Sequence, residues 1–283
     1  MKKIKISGIV VSKNDWGILG VSISYELLKH VDNVYVVNHF SEDETLAGLK
    51  HLQLYWGDRL KIINYPDLTF DQETITNCAI NIAYESSPDW IYVFDSDEFL
   101  LLDENISLHQ ILENCDSGIR SIRYELENYI SISDFNNCCL LDYLKIRYKS
   151  LPTINNAGPQ SKYEDMYHGR TTFFDYPFDS KIIFRATEES WIGMGCHSLV
   201  GLPPQGIEIK DNRIRCVHLP FPTRSVMERK ARHGEDVSKL GFSKYFAWQA
   251  QVIYQLSIEN KLDWLWGKHS LLETFKNKVP EDL

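Results

Sequence analysis

The chain has 283 residues, 43% of them hydrophobic and 24% charged, with a formal charge of −9 at neutral pH. This is the composition of an ordinary globular protein long enough to bury a sizeable core, and its acidic balance argues against a general DNA- or RNA-binding surface. No apolar run approaches the ~18 residues of a membrane span, and Met1-Lys2-Lys3-Ile4-Lys5-Ile6 enters a strand pattern without a signal-peptide core. Ile4 to Val11 reads as that first strand. Ser12-Lys13-Asn14-Asp15 ends it, and Trp16, Leu19, Ile23 and Leu27 recur at helical spacing to about His30. Val34 to Val37 is a second strand. Ser41-Glu42-Asp43-Glu44 has the form of a capping box, followed by a helix with Leu46, Leu49 and Leu52 on its buried stripe. Leu60 to Ile63 is the third strand, and a second box, Thr69-Phe70-Asp71-Gln72, opens a helix with Ile75, Cys78, Ala79 and Ile82 on one face. Trp90 to Phe94 is the fourth strand. The βαβαβαβ order predicts a mostly parallel α/β sheet with right-handed crossovers.

The fourth strand runs into Asp95-Ser96-Asp97-Glu98-Phe99-Leu100, placing three carboxylates within four positions. Open α/β sheets bind ligands at the carboxyl ends of their strands. Crowded carboxylates raise one another's pKa unless a cation lies between them, and the simplest candidate is a hard divalent metal, Mg²⁺ or Mn²⁺. Asp-x-Asp alone is more often an acidic turn, so the other loops must discriminate. No G-x-G-x-x-G and no G-x-x-x-x-G-K-[ST] follows a strand, which disfavours a dinucleotide fold and a P-loop. The first two strands end instead in Ser12-Lys13-Asn14-Asp15 and Asn38-His39-Phe40-Ser41, whose side chains suit hydrogen bonds to a base and ribose or, equally well, helix capping.

Three pieces in this order resemble a family: Val11-Ser12-Lys13-Asn14-Asp15, Val36-Val37-Asn38-His39-Phe40-Ser41-Glu42-Asp43-Glu44-Thr45, and Asp89-Trp90-Ile91-Tyr92-Val93-Phe94-Asp95-Ser96-Asp97-Glu98-Phe99. Together they are similar to the GT-A glycosyltransferases, in particular the family-2-like bacterial sugar transferases, over residues 4–102 and again near 181–235. The resemblance implies a mixed, mostly parallel sheet flanked by helices, with a C-terminal helical segment. It also implies a nucleotide-sugar donor, a UDP- or GDP-sugar, and a glycan or other hydroxyl acceptor. Mn²⁺ or Mg²⁺ would lie against the donor diphosphate, with Asp97 as direct ligand, Asp95 on the ribose or a metal-bound water, and Glu98 on the acceptor side. Lys13, Asn14 and Asn38 fall on the donor side, although family members often carry Asp where this chain has Asn38. By analogy the reaction belongs to cell-surface polysaccharide assembly.

Ile119 to Tyr124 and Tyr129 to Ser133 alternate as two further strands, and residues 150–180, rich in Pro, Gly and Asn, read as a long irregular loop. Glu164-Asp165 within it resembles the Glu-Asp motif of inverting family-2 enzymes and makes Asp165 a candidate base. Arg213 to His218 is a strand ending in a His, after which Pro220 and Pro222 turn the chain and Ser225-Val226-Met227-Glu228 forms a third capping box. A helix starting there directs its positive end, with Arg224 and Lys230 nearby, toward an anion. Metal-dependent GT-A enzymes often use a late His as a further ligand, which implies His218. His197 is the competitor, or else a residue lining the acceptor site. From Phe242 the aromatic run through Trp264, Leu271, Leu272 and Phe275 reads as a helical cap, with a homodimer surface or peripheral membrane contact over 242–275 left open.

The expected organisation is a catalytic domain over 1–224, with a nucleotide-binding half at 1–102 and an acceptor half at 103–224, and a packed extension over 225–283. Cysteines 78, 115, 138, 139, 196 and 216 contain no C-x-x-C pair, so reduced thiols in a cytoplasmic protein are expected, with Cys138-Cys139 in a strand or loop. Three rivals share parts of the pattern. A haloacid-dehalogenase-type phosphatase would use Asp95 as nucleophile and Asp97 as acid/base, but carries its motif on the first strand. A nucleotidyltransferase needs a Gly-rich first loop. A non-catalytic nucleotide- or sugar-binding module differs only in lacking turnover.

Overall fold

The computed structural model describes residues 3–65, 71–131, 147–187, 190–200 and 206–270. In chain order the elements begin β1 (Ile6–Ser12), α1 (Trp16–Lys29), β2 (Asn33–Asn38), α2 (Thr45–Trp56), β3 (Leu60–Asn64), α3 (Gln72–Tyr84), β4 (Trp90–Val93), β5 (Glu98–Leu102) and α4 (Leu108–Glu113). They continue β6 (Ile119–Ser131), β7 (Arg147–Lys149), α5 (Pro159–Tyr167), β8 (Lys181–Arg185), β9 (Trp191–Ile192), β10 (Leu199–Val200), β11 (Ile207–His218), α6 (Arg224–Lys239), α7 (Trp248–Ile258) and α8 (Leu262–Ser270). The chain forms two compact units, Met1–Leu126 with Asp179–His218, and Glu127–Phe178 with Leu219–Leu283. The helices after 224 thus share a unit with 127–178.

Among the described residues the main sheet runs β3-β2-β1-β4-β8-β6-β11-β5, with β7 paired to β6. The β3-β2-β1-β4 part is parallel, and antiparallel pairing joins β4 to β8, β8 to β6 and β11 to β5. This is the expected mixed sheet flanked by helices. Its parallel strands are apolar nearly throughout because both faces are covered. Ile6, Val10, Val34, Val36, Trp90 and Tyr92 pack with α1, α2 and α4 on one face, whereas Ile9, Tyr35, Val37, Ile91 and Val93 meet α3 on the other.

At the end of the sheet order, β5 is clamped by α1. The Leu100 N–H donates to Glu26, while Tyr25 and His30 Nε2 reach the Leu100 carbonyl. An edge strand's open backbone groups are thereby closed from within the chain. Burial raises the Glu26 pKa well above the ordinary carboxylate value.

Several local expectations shift. Helix α2 is not capped by a Ser41–Glu44 box: Glu44 is its N-cap, Asp43 accepts the Thr45 N–H, and Ser41 is used elsewhere. Asp71 caps α3 by accepting from Thr74, while Thr69 and Phe70 lie outside the described residues. Thr223, not Ser225, caps α6. The two middle strands form one continuous β6, whose polar centre, Glu125-Leu126-Glu127-Asn128, interrupts the alternation without ending the strand. The expected irregular loop contains α5, which starts on Pro159 with Gly158 as N-cap. Asp134, Cys138, Cys139, Leu271, Leu272 and Phe275 lie outside the described residues. Cys78, Cys115, Cys196 and Cys216 are free thiols, and no helix of the described residues is long and apolar enough to cross a membrane.

The second unit has its own aromatic core, with Phe173, Phe174, Tyr176, Phe221 and Trp248 packed among α5, α6 and α7. His269 of α8 is sealed beneath it. Its Nε2 accepts from the Phe173 N–H at 2.9 Å and its Nδ1 lies 2.9 Å from the Leu265 carbonyl, an arrangement that fixes the neutral tautomer with Nδ1 as donor. Burial pushes the His269 imidazole down to about 4.

Two outcomes follow from this packing. Between pH ~6.5 and the folded value of about 4, the unfolded chain binds a proton at His269 that the folded unit refuses, so stability falls on acidification, by up to about 3 kcal/mol. Thermal unfolding of His269→Gln across that window should show a shallower pH slope than wild type. The α1–α2 contact is equally specific. A Cβ on Gly48 would sit 2.2 Å from the Trp16 indole, whereas one on Gly17 meets nothing within 4 Å. Gly48→Ala should therefore lose about 1–3 kcal/mol by overpacking, and Gly17→Ala should gain about 0.5–1 kcal/mol from reduced helix entropy, both read from denaturant midpoints.

Candidate active site

The site of the first unit is built where β1, β2 and β4 end. Ser12 pairs with Asn38 and Asn38 with Asn64 across adjacent parallel strands, so the three polar side chains form a row on one face of the sheet. Ser12 Oγ and Asn38 Oδ1 are buried and meet no hydrogen-bond partner among the described residues. Buried polar atoms are ordinarily paired, so these two atoms at the mouth of the sheet are free to bond a water or a ligand.

The loops beyond these strands are stitched together. Asn14 adopts a left-handed φ of 56°. This turns its N–H onto Ser41 Oγ at 2.9 Å, while its Oδ1 accepts the Glu42 N–H at 2.6 Å and the Asp43 N–H at 3.3 Å. Ser41 is thus drawn away from α2, which is why the expected capping box does not form. Asp15 donates its N–H to the buried Thr45 hydroxyl at 3.0 Å and accepts from Ser96 Oγ with its carboxylate. Helix α1 is left without a side-chain cap, and in exchange the β1–α1, β2–α2 and β4–β5 loops become one platform.

After Phe94, residues Asp95–Glu98 make a turn closed twice by Glu98. Its N–H donates to the Asp95 carbonyl at 3.1 Å, and its Oε2 accepts the Asp95 N–H at 3.0 Å. Its Oε1 lies 2.8 Å from Lys181 Nζ, and Asp95 Oδ2 lies 2.6 Å from the same ammonium. Lys181 opens β8 and is 2% exposed; Glu98 is 1% exposed. Burial works against the Lys181 charge, but the two carboxylates outweigh it and hold its pKa well above the ordinary value. Burial raises Glu98 against the opposing pull of Lys181. With both oxygens engaged and its side chain sealed, Glu98 shapes the turn. Lys181 was not anticipated, and neither were the roles of Asp15, Ser96 and Thr45.

The antiparallel register of β5 with β11 sets His218 directly opposite Glu98. This brings His218 Nε2 to 3.6 Å from Asp97 Oδ2, each residue 8% exposed. Two ligands of one ion with bonds of ~2.1 Å can stand no more than ~4.2 Å apart, so this carboxylate–imidazole pair is within reach of a shared divalent cation. No group of three or more His, Cys, Asp and Glu is arranged for metal binding among the described residues.

Other candidates have separate placements. His197 follows the turn Met194–Cys196, with Nδ1 3.1 Å from the Ser180 carbonyl. Burial and nearby Lys181 lower its pKa, favouring the neutral ring. The neighbouring Cys196 thiol is pushed up to about 12 by burial, which disfavours the thiolate. Asp165, Arg224 and Lys230 belong to the second unit. Asp165 pairs with Arg170 at 2.7 Å and accepts from Ser161, and the Arg170 guanidinium beside it holds its carboxyl below the ordinary value, unfavourable for a general base. Arg224 pairs with Glu228 and Asp263, and Lys230 lies over the Phe221 ring.

Asn14 offers a direct test of the platform. Asn14→Ala removes the acceptor of two backbone N–H groups and places a less tolerant residue at positive φ, and should cost about 1–3 kcal/mol. Asn14→Asp keeps the acceptor and should stay within about 1 kcal/mol of wild type in the same denaturation experiment.

No protein-family model and no curated protein sequence matches the chain. Among solved structures it is similar to a mannosyltransferase from Pyrobaculum calidifontis in complex with GDP-Man and Mn²⁺, at 12% identity over 93% of this chain and 70% of that one, with a TM-score of 0.47. TarS 1–349 of S. aureus in complex with UDP gives 11% identity over 85% and 73% of the two chains and a TM-score of 0.42. GalNAc-T7 with UDP, GalNAc and Mn²⁺ gives 11% identity over 80% and 47%, with a TM-score of 0.40. At such identities no residue role passes from these proteins to this chain.

Proposed function

We propose that the protein is a GT-A glycosyltransferase that moves a sugar from a nucleotide donor to an acceptor hydroxyl, with a divalent metal held by Asp97 and His218. The observation that carries this reading is the β5–β11 register, which sets a carboxylate and an imidazole 3.6 Å apart at the carboxyl end of β4. An imidazole ligand beside a carboxylate suits Mn²⁺ better than Mg²⁺. When bound, the metal supplies Lewis-acid stabilisation of the diphosphate that leaves as the sugar–phosphate bond breaks. Asp97 and His218 hold that charge centre, and Lys181 keeps the turn carrying Asp97 in one shape. The Asn38 amide oxygen and the Ser12 hydroxyl receive the nucleoside, an orphaned acceptor matching the ring N–H of uracil or guanine. Lys13 and Asn14 border the same mouth, and His197 lies on the acceptor side with a neutral ring at physiological pH.

A thermal-shift panel of UDP-, GDP- and CDP-sugars with and without Mn²⁺ tests the assignment. A ligand at ~100 times its dissociation constant stabilises the folded state by about 2.7 kcal/mol, so one nucleotide class should raise the melting temperature by several degrees, and more with Mn²⁺ present. Asp97→Ala and His218→Ala should each abolish the Mn²⁺-dependent part. An unchanged shift in Asp97→Ala, or no response to any nucleotide, rejects the reading. Phosphate release from small phosphomonoesters would favour the phosphatase chemistry of Asp95 and Asp97.

A further inference from the structure

Strand β8 lies inside the sheet between β4 and β6, and its Ile182, Ile183 and Phe184 are completely buried. An ammonium at the head of such a strand is costly unless it is paired. Lys181 is paired twice, at 2.6 Å with Asp95 and 2.8 Å with Glu98. The turn itself carries three carboxylates, Asp95, Asp97 and Glu98. Left to themselves, such clustered oxygens recruit a hard cation, with an affinity that grows with ligand charge.

We propose that Lys181 is the resident counter-ion of the Asp95–Glu98 turn and the positioning residue for its metal. Its ammonium occupies the place between Asp95 and Glu98 that a divalent ion would otherwise take. The incoming ion is thereby directed to Asp97 and His218, and its binding is kept weak until a nucleotide diphosphate adds further oxygens. The second half of this inference rests on the proposed glycosyltransferase reading; the counter-ion role does not. Two features of the site agree with it. Asp95 and Glu98 spend one oxygen each on Lys181, and the other oxygen of Glu98 closes the turn on the Asp95 N–H. Asp97 and His218 stand 3.6 Å apart outside the Lys181 contact.

The experiment compares Lys181→Met, Lys181→Arg, Glu98→Gln and the Lys181→Met/Glu98→Gln double variant of the full chain. Mn²⁺ is titrated calorimetrically without nucleotide, melting temperatures are read with and without Mn²⁺, and turnover is read separately. Lys181→Met should bind Mn²⁺ alone about tenfold tighter than wild type, regain melting temperature when Mn²⁺ is added, and lose turnover with any donor that wild type uses. Lys181→Arg should keep the weak nucleotide-free Mn²⁺ binding of wild type. The double variant should melt well above the temperature expected from adding the two single losses, because one change removes the charge that the other leaves uncompensated. Mn²⁺ affinity unchanged in folded Lys181→Met, or strictly additive losses in the double variant, overturns the proposal. If Lys181→Met does not fold, the double variant decides: folding regained in Lys181→Met/Glu98→Gln supports the proposal, and a double variant that also fails to fold while Glu98→Gln folds overturns it. A wild type that responds to no nucleotide while the Lys181–Glu98 coupling persists rejects the donor reading and leaves the counter-ion role standing.

Discussion

A buried ammonium held between two carboxylates is the constraint on which the first unit depends. Lys181 cannot occupy the head of an interior strand unless Asp95 and Glu98 come to it, and they can do so only if the chain turns sharply after Phe94. Removing one partner of such a buried set costs about 3–5 kcal/mol, comparable with a large part of a domain's net stability of 5–15 kcal/mol. Folding energy and site geometry are therefore coupled: a chain that has satisfied Lys181 has also formed the Asp-Ser-Asp turn.

The two halves of the sheet divide the work. The parallel strands bring three loops to one edge, where Asn14, Ser41, Thr45, Asp15 and Ser96 tie them together. The antiparallel strands deliver single residues from far along the chain, Lys181 on β8 and His218 on β11. Side chains alternate across a strand with a period of two, so a one-residue slip of β11 would oppose Val217 to Glu98 and turn His218 to the other face. The Asp97–His218 pair is thus specified by register as much as by residue type.

This explains which parts were legible in the sequence. The βαβαβαβ half could be read because its strands are short apolar runs punctuated by polar turns, and its strand boundaries lie within one or two residues of those expected. Asp97 and His218 stand out through the family resemblance, and their 3.6 Å approach comes only from the pairing of β5 with β11. Lys181 gave no signal of its own: a lysine before an apolar run looks like any exposed strand start until the strand proves interior. The capping boxes were misplaced for a related reason. A Ser or Thr three residues before Glu or Gln satisfies the motif on paper, but Ser41 has a rival donor in Asn14, which only the fold supplies. Helix α5 was hidden by Pro and Gly, whose loop-forming reputation ignores that proline is well suited to a first helical position and glycine to the cap before it.

The arrangement also gives α1 a part in the site that neither its sequence nor its position at the other side of β5 suggests. Strand β5 begins at Glu98 and is held on one side only by β11. Its far side is closed by Tyr25, Glu26 and His30, all acting on the backbone of Leu100, two residues from Glu98. An edge strand so clamped cannot slide along its neighbour, and sliding is the motion that would separate Asp97 from His218. Glu26 and His30 are both buried, with burial favouring the neutral form of each. The clamp works through hydrogen bonds to the Leu100 backbone rather than through ion pairs. It fixes β5 two residues from the Lys181-held turn, so the strand that begins at Glu98 is anchored at both points.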